Sequence, residues 1–452
     1  MNLAELLLDH PSADDEPLLH TIDRTMTAGE ARAAARATAA HLADIGVAEG
    51  HAVCVQLPNE PELVTTMIGV WLAGGVYAPL NPRLTTNEVA AIVADTAPTA
   101  IIRPDGVEEL SGRKAYDDDT AFVAWTSGTT GRPKPIVYTH AAYVELLDRV
   151  IGPLRGGGRA TKRPTPNLIP VSMSLNAGFY NAMFGLRAGA ALVIMDRFDT
   201  QEFAELVRRF DIRSTVLPPA ALAMLTDDDR VTDLSPLKYV RSITAALSPL
   251  QAKRFAEKFP VYVLNGYGQA EIGEVIGWTA ADAKEHPDKI GSIGRPHPGV
   301  DIRLEGDGRL LVRPPNTASG LGDRVDAEGY VDTGDLARID GDGFVWLEGR
   351  ASDLINRGGN KVFPESVEEV LRLHPAVDDV AVVGRPDDRL GEVPVAFLVG
   401  RPVADDELAA LCREHLVPYK VPAEFHWVDA LPRSEVGKVL RRQLVDRLMT
   451  AR

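Results

Sequence analysis

The chain has 452 residues, 45% hydrophobic and 25% charged, a globular composition too long for a single ordinary core, so two or more domains are expected. A formal net charge of −16 and a pI near 5.1, with no basic block, argue against nucleic-acid binding and for solubility. The two cysteines, Cys54 in HAVCVQL and Cys412 in LAALCREHL, have neither a second cysteine nor a metal-spaced histidine beside them, and read as reduced core residues.

In chain order, the start MNLAELLLDHPSADDEP lacks a basic region and turns acidic, which argues against a secretory signal. The alanine-rich stretch from Gly29 to Gly46 has helical spacing ended by glycine. A strand over Ala52 to Leu57 and a helix over Glu60 to Ala73 follow. The longest apolar run, Met67 to Leu80, is too short and too glycine-rich to span a bilayer, so a soluble cytoplasmic protein without membrane contact is expected. Apolar strands at 121–125, 191–195, 213–217 and 261–265 alternate with amphipathic helical stretches such as 200–211. That alternation predicts an α/β fold with a parallel or mixed sheet and helices on its faces. After about Gly291 the texture becomes short strands with Gly and Asp turns, predicting hairpins or a small β-barrel. From Ser352 a further set begins: a hairpin in DLINRGGNKV, a helix in PESVEEVLRLH with Pro364 near its first turn, then strands in VDDVAVVG and PVAFLVG. A domain boundary is expected between Arg350 and Asp353.

Four motifs carry chemistry. TSGTTGRPKP, Thr126 to Pro135, follows a strand and precedes a helical stretch; its glycines, hydroxyls and Lys134 suit a loop that wraps phosphate, although a solvated surface turn has the same composition. It is not a Walker loop, which needs four residues between its glycines and then Lys-Ser or Lys-Thr. NGYGQAE offers Tyr267 to stack on a purine, Gly266 and Gly268 for close backbone approach, and Glu271 for a magnesium ion bridging phosphates; a strand-to-loop turn with a core tyrosine is the plainer reading. YVDTGD presents Asp335, able to accept two ribose hydroxyls, with Arg350 beyond the next hairpin. PRSEVGK places Lys438 after a glycine.

Taken in order with GRASDLINRGGNKVFPESVEEVL, these motifs resemble the signature series of the adenylate-forming superfamily: acyl- and aryl-CoA synthetases, peptide-synthetase adenylation domains and luciferases. The resemblance covers nearly the whole chain. It implies a large N-terminal domain, 1–351, of mixed α/β sheets with a small β-barrel subdomain, and a small mobile α+β C-terminal domain, 352–452, hinged at Ser352, where the family usually carries Asp or Lys. It implies that a carboxylate attacks the α-phosphate of ATP to give an acyl-adenylate and pyrophosphate, after which the acyl group passes to a thiol, normally that of CoA. By the same likeness Thr126, Ser127, Gly128, Thr129, Thr130, Gly131 and Lys134 hold the β- and γ-phosphates. Asn265 and Tyr267 bind adenine, with Ala245, Ala246, Gly266 and Gly268 beside the nucleotide. Glu271 helps hold Mg²⁺, Asp335 and Arg350 secure the ribose, and Lys438 bridges the attacking carboxylate and the α-phosphate. Arg357, Gly358 and Gly359 would approach the thiol channel after the C-terminal domain rotates.

Three departures from the family pattern stand out. Ala270 replaces the usual Thr before the magnesium glutamate, removing a hydroxyl from the phosphates. Ser172 and Met173 stand where an aromatic-His pair is usual; with Leu175, Asn176 and Phe179 they are candidates to line an acid pocket, or simply to pack the core. The stretch NTASGLGDRVDAEG after Pro315 is shortened. The expected partners are a small carboxylic acid and CoA, a carrier-protein thiol or an amine being the alternative acceptor. A nucleotide-binding homologue with weak catalysis is the third reading, and the sequence leaves monomer and homodimer open.

Overall fold

A computed structural model describes residues 1–112, 114–117, 119–126, 134–154, 164–245, 247–433 and 439–450. Among them the first 350 residues build two large mixed sheets. The six-stranded sheet runs, edge to edge, Gly106–Glu109, Ala100–Arg103, Ala52–Val55, Val76–Pro79, Thr120–Thr126 and Lys134–Thr139, parallel in its centre and antiparallel at both ends. The nine-stranded sheet has a parallel centre, Tyr262–Gln269, Tyr239–Ser242, Ser214–Val216, Asn167–Ile169, Leu192–Ile194 and Pro17–His20. Thr25–Thr27 lies antiparallel on one flank, and Gly273–Gly277 with Arg295–Pro296 on the other.

Alternating side chains sort these strands into layers, because successive residues of a strand face opposite sides. Val53 and Val55, with Leu192 and Ile194, turn toward one shared core that holds the helices Ala28–Asp44, Pro61–Leu72 and Asn176–Ala188. Cys54 faces the opposite side, packing with Ile92 of helix Thr86–Thr96, and Val193 faces a third core with Phe203, Leu206 and Val207 of helix Thr200–Arg209. Each of those fully buried apolar side chains contributes about 1.5–3 kcal/mol. The Asp199 side chain caps that last helix, accepting from the Gln201 and Glu202 amides. Gly69 lets the helices Ala28–Asp44 and Pro61–Leu72 touch: a Cβ there would stand 2.6 Å from Thr38 Cβ and 2.8 Å from the Ala35 carbonyl oxygen.

The short strands after residue 291 pair as an open antiparallel path, Asp301–Leu304, Arg309–Arg313, Val331–Ile339 and Val345–Arg350. No ladder among the described residues joins the two ends of that path, so the hairpin expectation describes it and a closed barrel does not. Its apolar face, with Leu310, Val312 and Val331, packs against Tyr267, Ile272 and Ile276 of the large sheet's terminal hairpin. Residues from Ile355 onward form their own five-stranded sheet, in which Glu424–Trp427 lies parallel to Gly391–Gly400. Helices Pro364–Leu371 and Asp405–His415 cover one face of it and helix Arg441–Thr450 the other. Among the described residues no helix is long and apolar enough to cross a membrane.

Candidate active site

The strand Tyr262–Gln269 turns back antiparallel into Gly273–Gly277, and this hairpin organises the site. The sequence suggests Gly266 and Gly268 as places for a ligand to approach, but the chain itself fills both. A Cβ on Gly268 would stand 2.0 Å from the Gly273 carbonyl oxygen, and one on Gly266 2.9 Å from Glu274 Oε1. Gly273, at φ +67°, makes the turn. The glycines therefore set the hairpin's tightness, and through it the direction of Tyr267, Gln269 and Glu271.

Tyr267 is buried, and its hydroxyl donates to Asp335 Oδ2 at 2.5 Å, across 68 residues of sequence. Burial first, and then the Asp335 carboxylate, push the phenol well above its ordinary range, so it remains a donor. Gln269 Nε2 donates to the same oxygen at 3.3 Å and to the Thr333 carbonyl at 2.7 Å. Asp335 and Arg350 are direct cross-strand partners, with Arg350 Nε 2.9 Å from Asp335 Oδ1. Gly334, at φ +72°, and the Thr333 hydroxyl, which accepts from the Asp335 amide at 3.1 Å, hold the carboxylate in that direction. A buried carboxylate thus receives one cation and two neutral donors from two strands.

Glu271, at the hairpin tip, is 3.0 Å from Arg324 Nη1. Arg324 Nη2 donates to Gln269 Oε1 at 2.5 Å and Nε to the Asp332 carbonyl at 3.1 Å. The Glu271 backbone carbonyl accepts from the Ala318 amide at 2.7 Å, and Ser319 bridges antiparallel to Val137. Glu271 therefore lies beside the strand Lys134–Thr139, which leaves the predicted phosphate loop, and Thr126 stands opposite Lys134 at the mouth of that hairpin. Ser127, Gly128, Thr129, Thr130 and Gly131, like Ala246 and Lys438, lie outside the described residues. Lys438 is flanked by a bridge between Arg433 and Val439.

Under the hairpin lies an ionic cluster that the sequence reading missed. Glu274 Oε1 is 2.7 Å from Arg241 Nη1 and 3.0 Å from His297 Nε2, and its side chain is 7% exposed. Burial alone would raise the Glu274 carboxyl, yet Arg241 and His297 outweigh it and hold it below its ordinary value. Three residues beyond Arg241, just past the end of its strand, Thr244 stands at φ +82°, a strained conformation for a β-branched residue that marks an unusual turn beside Ala245. Arg149, buried on helix His140–Leu154, donates to the Ile272 and Glu274 carbonyls at 3.3 and 3.4 Å and fixes the same hairpin from behind.

The acid-pocket candidates divide. Met173 is fully buried, its amide donating to Asn59 Oδ1 at 2.7 Å. Phe179 is 2% exposed and packs on Tyr77, Phe122 and Tyr143 with ring centroids 5.8, 4.7 and 5.1 Å away, the arrangement of a core residue. Leu175 and Asn176, at the start of helix Asn176–Ala188, are the more accessible members. Asn265 Nδ2 donates to the Ser292 carbonyl at 3.2 Å. Arg357 is engaged as well, donating to the Tyr419 and Val421 carbonyls at 2.9 and 3.1 Å, while Gly358 and Gly359 at φ +58° and +85° make its hairpin turn. Ser352 Oγ donates to Asp353 Oδ1 at 2.8 Å in the turn that follows Arg350.

No three His, Cys, Asp or Glu side chains cluster as a metal cage among the described residues. A magnesium ion fits here only in the manner usual for phosphate-bound Mg²⁺, with one carboxylate and the remaining ligands from phosphate and water. Glu271 suits that part, since a cation already sits 3.0 Å from it.

A mixed α/β body followed by a separate small α+β unit matches the fold of adenylate-forming enzymes. The chain belongs to the AMP-binding enzyme family: residues 10–115 and 105–321 match that family and residues 366–438 match the AMP-binding enzyme C-terminal domain. It is an AMP-forming, acyl-CoA synthetase-like ligase. It is 32% identical to 4-coumarate–CoA ligase-like 9 of Oryza sativa subsp. japonica, over 94% of this chain and 88% of that one. It is 30% identical to 2-succinylbenzoate–CoA ligase of Bacillus subtilis, over 94% and 93%. The structure of o-succinylbenzoate CoA synthetase from Bacillus subtilis, in complex with its acyl-adenylate intermediate, superimposes with a TM-score of 0.86 at 27% identity, covering 98% of this chain and 97% of that one.

Proposed function

We propose that this chain joins a small carboxylic acid to CoA through an acyl-adenylate, with residues 1–351 binding ATP and the acid and residues 352–452 carrying Lys438 to and from them. The observation that best supports this reading is the convergence of Tyr267, Gln269 and Arg350 on Asp335, next to Glu271 at the hairpin tip. A carboxylate offers about four acceptor positions; Tyr267 and Gln269 hydrogen-bond Oδ2, and Arg350 lies in ion-pair contact with Oδ1. Oδ1 is accordingly the oxygen offered to the ribose. Tyr267, with its hydroxyl anchored, presents its ring rather than its polar tip to the adenine, and Asn265 stands beside it.

The attack of a carboxylate on a phosphate is slow chiefly because two anions repel, so positioned cations are worth most at that step. Lys438 bridges the two oxygens between which negative charge builds, and Lys134 with the hydroxyls and amides of Thr126, Ser127, Gly128, Thr129, Thr130 and Gly131 holds the departing pyrophosphate. Magnesium, held by Glu271 and the nucleotide, would neutralise charge on the phosphates. The mixed anhydride carries its own leaving group, AMP, so the thiolate attacks the acyl carbon once Lys438 withdraws and the Arg357–Gly358–Gly359 turn swings in about Ser352. Leu175 and Asn176 meet the acid before Met173 or Phe179 does.

The test is a pyrophosphate-release screen over aromatic and aliphatic acids, with and without CoA, followed by mass spectrometry of the products. Acid-dependent pyrophosphate with a CoA thioester is the expected outcome. Acyl-adenylate that passes only to an amine or a carrier thiol would replace CoA as acceptor, and absence of acid-dependent pyrophosphate throughout would refute the reading.

A further inference from the structure

We propose that Arg324 is a ligand of the nucleotide's β- and γ-phosphates, held ready by Glu271 and supplying the hydrogen-bonding capacity that Ala270 lacks. This rests on the reading of the site as an ATP site. Arg324 belongs to the shortened stretch between Pro315 and the YVDTGD strand, a segment with no assigned task. Its three bonds, to Glu271, Gln269 and the Asp332 carbonyl, use three of the five guanidinium N–H groups. Its side chain is 37% exposed, leaving the rest of the planar fork able to meet a phosphate in two parallel bonds.

Position supports the same conclusion independently. The segment 318–324 is stitched on one side to the hairpin tip, by the Ala318 amide to the Glu271 carbonyl, and on the other to the strand leaving the phosphate loop, by the Ser319 amide to the Val137 carbonyl at 3.0 Å. Arg324 therefore stands beside the carboxylate suited to the metal, on a segment whose first residues pair with the hairpin tip and with the strand Lys134–Thr139. The ion pair keeps two opposite charges together at the hairpin tip, each relieving the other until a charged ligand arrives. With nucleotide bound, the guanidinium donors turn to the phosphate oxygens, and Glu271, released, would be free to hold a magnesium ion.

The experiment is calorimetric titration of the full-length protein with ATP in EDTA, ATP in excess Mg²⁺, and AMP, for the wild type, Arg324→Ala and Arg324→Lys, with thermal unfolding of each. Arg324→Ala should weaken ATP binding in EDTA by about 10- to 100-fold, the worth of one or two charge-assisted hydrogen bonds. AMP, which lacks the outer phosphates, should bind within about twofold of wild type, and Arg324→Lys should recover part of the ATP loss. Unchanged ATP affinity, an equal loss for ATP and AMP, or tighter Mg²⁺-ATP binding would each overturn the proposal, the second by showing a loop pin and the third a simple competitor for Glu271. If Arg324→Ala does not fold, wild-type-like preference for ATP over AMP in a folded Arg324→Gln overturns it equally well. A wild type that binds AMP and ATP while Arg324→Ala matches it leaves the nucleotide site standing; a wild type that binds neither removes the site and the proposal together.

Discussion

Replacing Asp335 by Asn separates the carboxylate's charge from its shape. The side chain is 8% exposed and takes Arg350 Nε on one oxygen at 2.9 Å, and Tyr267 OH at 2.5 Å with Gln269 Nε2 at 3.3 Å on the other. Asn has nearly the same volume, but either orientation of its amide points an NH₂ at a donor. The variant loses the charge partner of Arg350 and the acceptor offered to the ribose. A hydrogen bond to a charged group is worth about 1.5–3 kcal/mol, and the 34% exposure of Arg350 lets water take up part of what is lost. A net loss of about 2–3 kcal/mol in nucleotide binding corresponds to about 30- to 150-fold. Calorimetric titration with AMP and with ATP measures it directly, since both carry the ribose, and the unfolding temperature checks that the protein is intact. A folded Asp335→Asn variant whose AMP affinity stays within threefold of wild type would refute the placement of the ribose at this carboxylate.

Glu274→Gln leaves Arg241 buried without its charge partner, so unfolding in denaturant at pH 7 should show a loss of about 3–5 kcal/mol. Because the Glu274 carboxyl is held low in the fold, its contribution is complete above the ordinary carboxylate range and is lost as pH falls below it, so the gap between variant and wild type should narrow steadily as the pH is taken down. His140 is lowered to about 4, mainly by burial, and its Nδ1 accepts from the Leu3 amide at 3.0 Å. The unfolded chain takes up that proton first, so stability should drop between about pH 6.5 and pH 4, and His140→Asn, which keeps an acceptor but cannot titrate, should lose less over that interval in thermal melts. Burial pushes Cys54 to about 12 and Cys412 to about 11; neither thiol should react with iodoacetamide at pH 8 until the protein is unfolded, and rapid labelling of the native protein would contradict their burial.

The layers were legible because they rest on local periodicity. Phe203, Leu206 and Val207 repeat at helical spacing after the capping Asp199, and the alternation of Val53, Cys54 and Val55 assigns two cores to one strand. The motifs also named Tyr267, Asp335 and Arg350, which the fold brings into contact, and Glu271, which joins them through Arg324 and Gln269. What could not be read was anything made by register between distant strands. Arg241, Glu274 and His297 belong to three different stretches, and nothing in any one of them announces an ion cluster. Gly266 and Gly268 looked like room for a ligand, whereas the space is taken by Glu274 and by the Gly273 carbonyl. Phe179 looked available to an acid because helical spacing alone does not say which side of helix Asn176–Ala188 meets the aromatic core. Arg324 was part of a stretch noticed only for being short; its pairing with Glu271 needs the fold to bring residues 53 apart into contact.

The central claim, acid activation by adenylation with Lys438 as the charge bridge, is tested most directly by the two half-reactions of Lys438→Ala measured separately. Acid-dependent pyrophosphate release should fall about 100-fold or more, the worth of a preorganised charge partner, while transfer of a supplied acyl-adenylate to CoA continues near the wild-type rate. Undiminished pyrophosphate release in that variant would contradict the account.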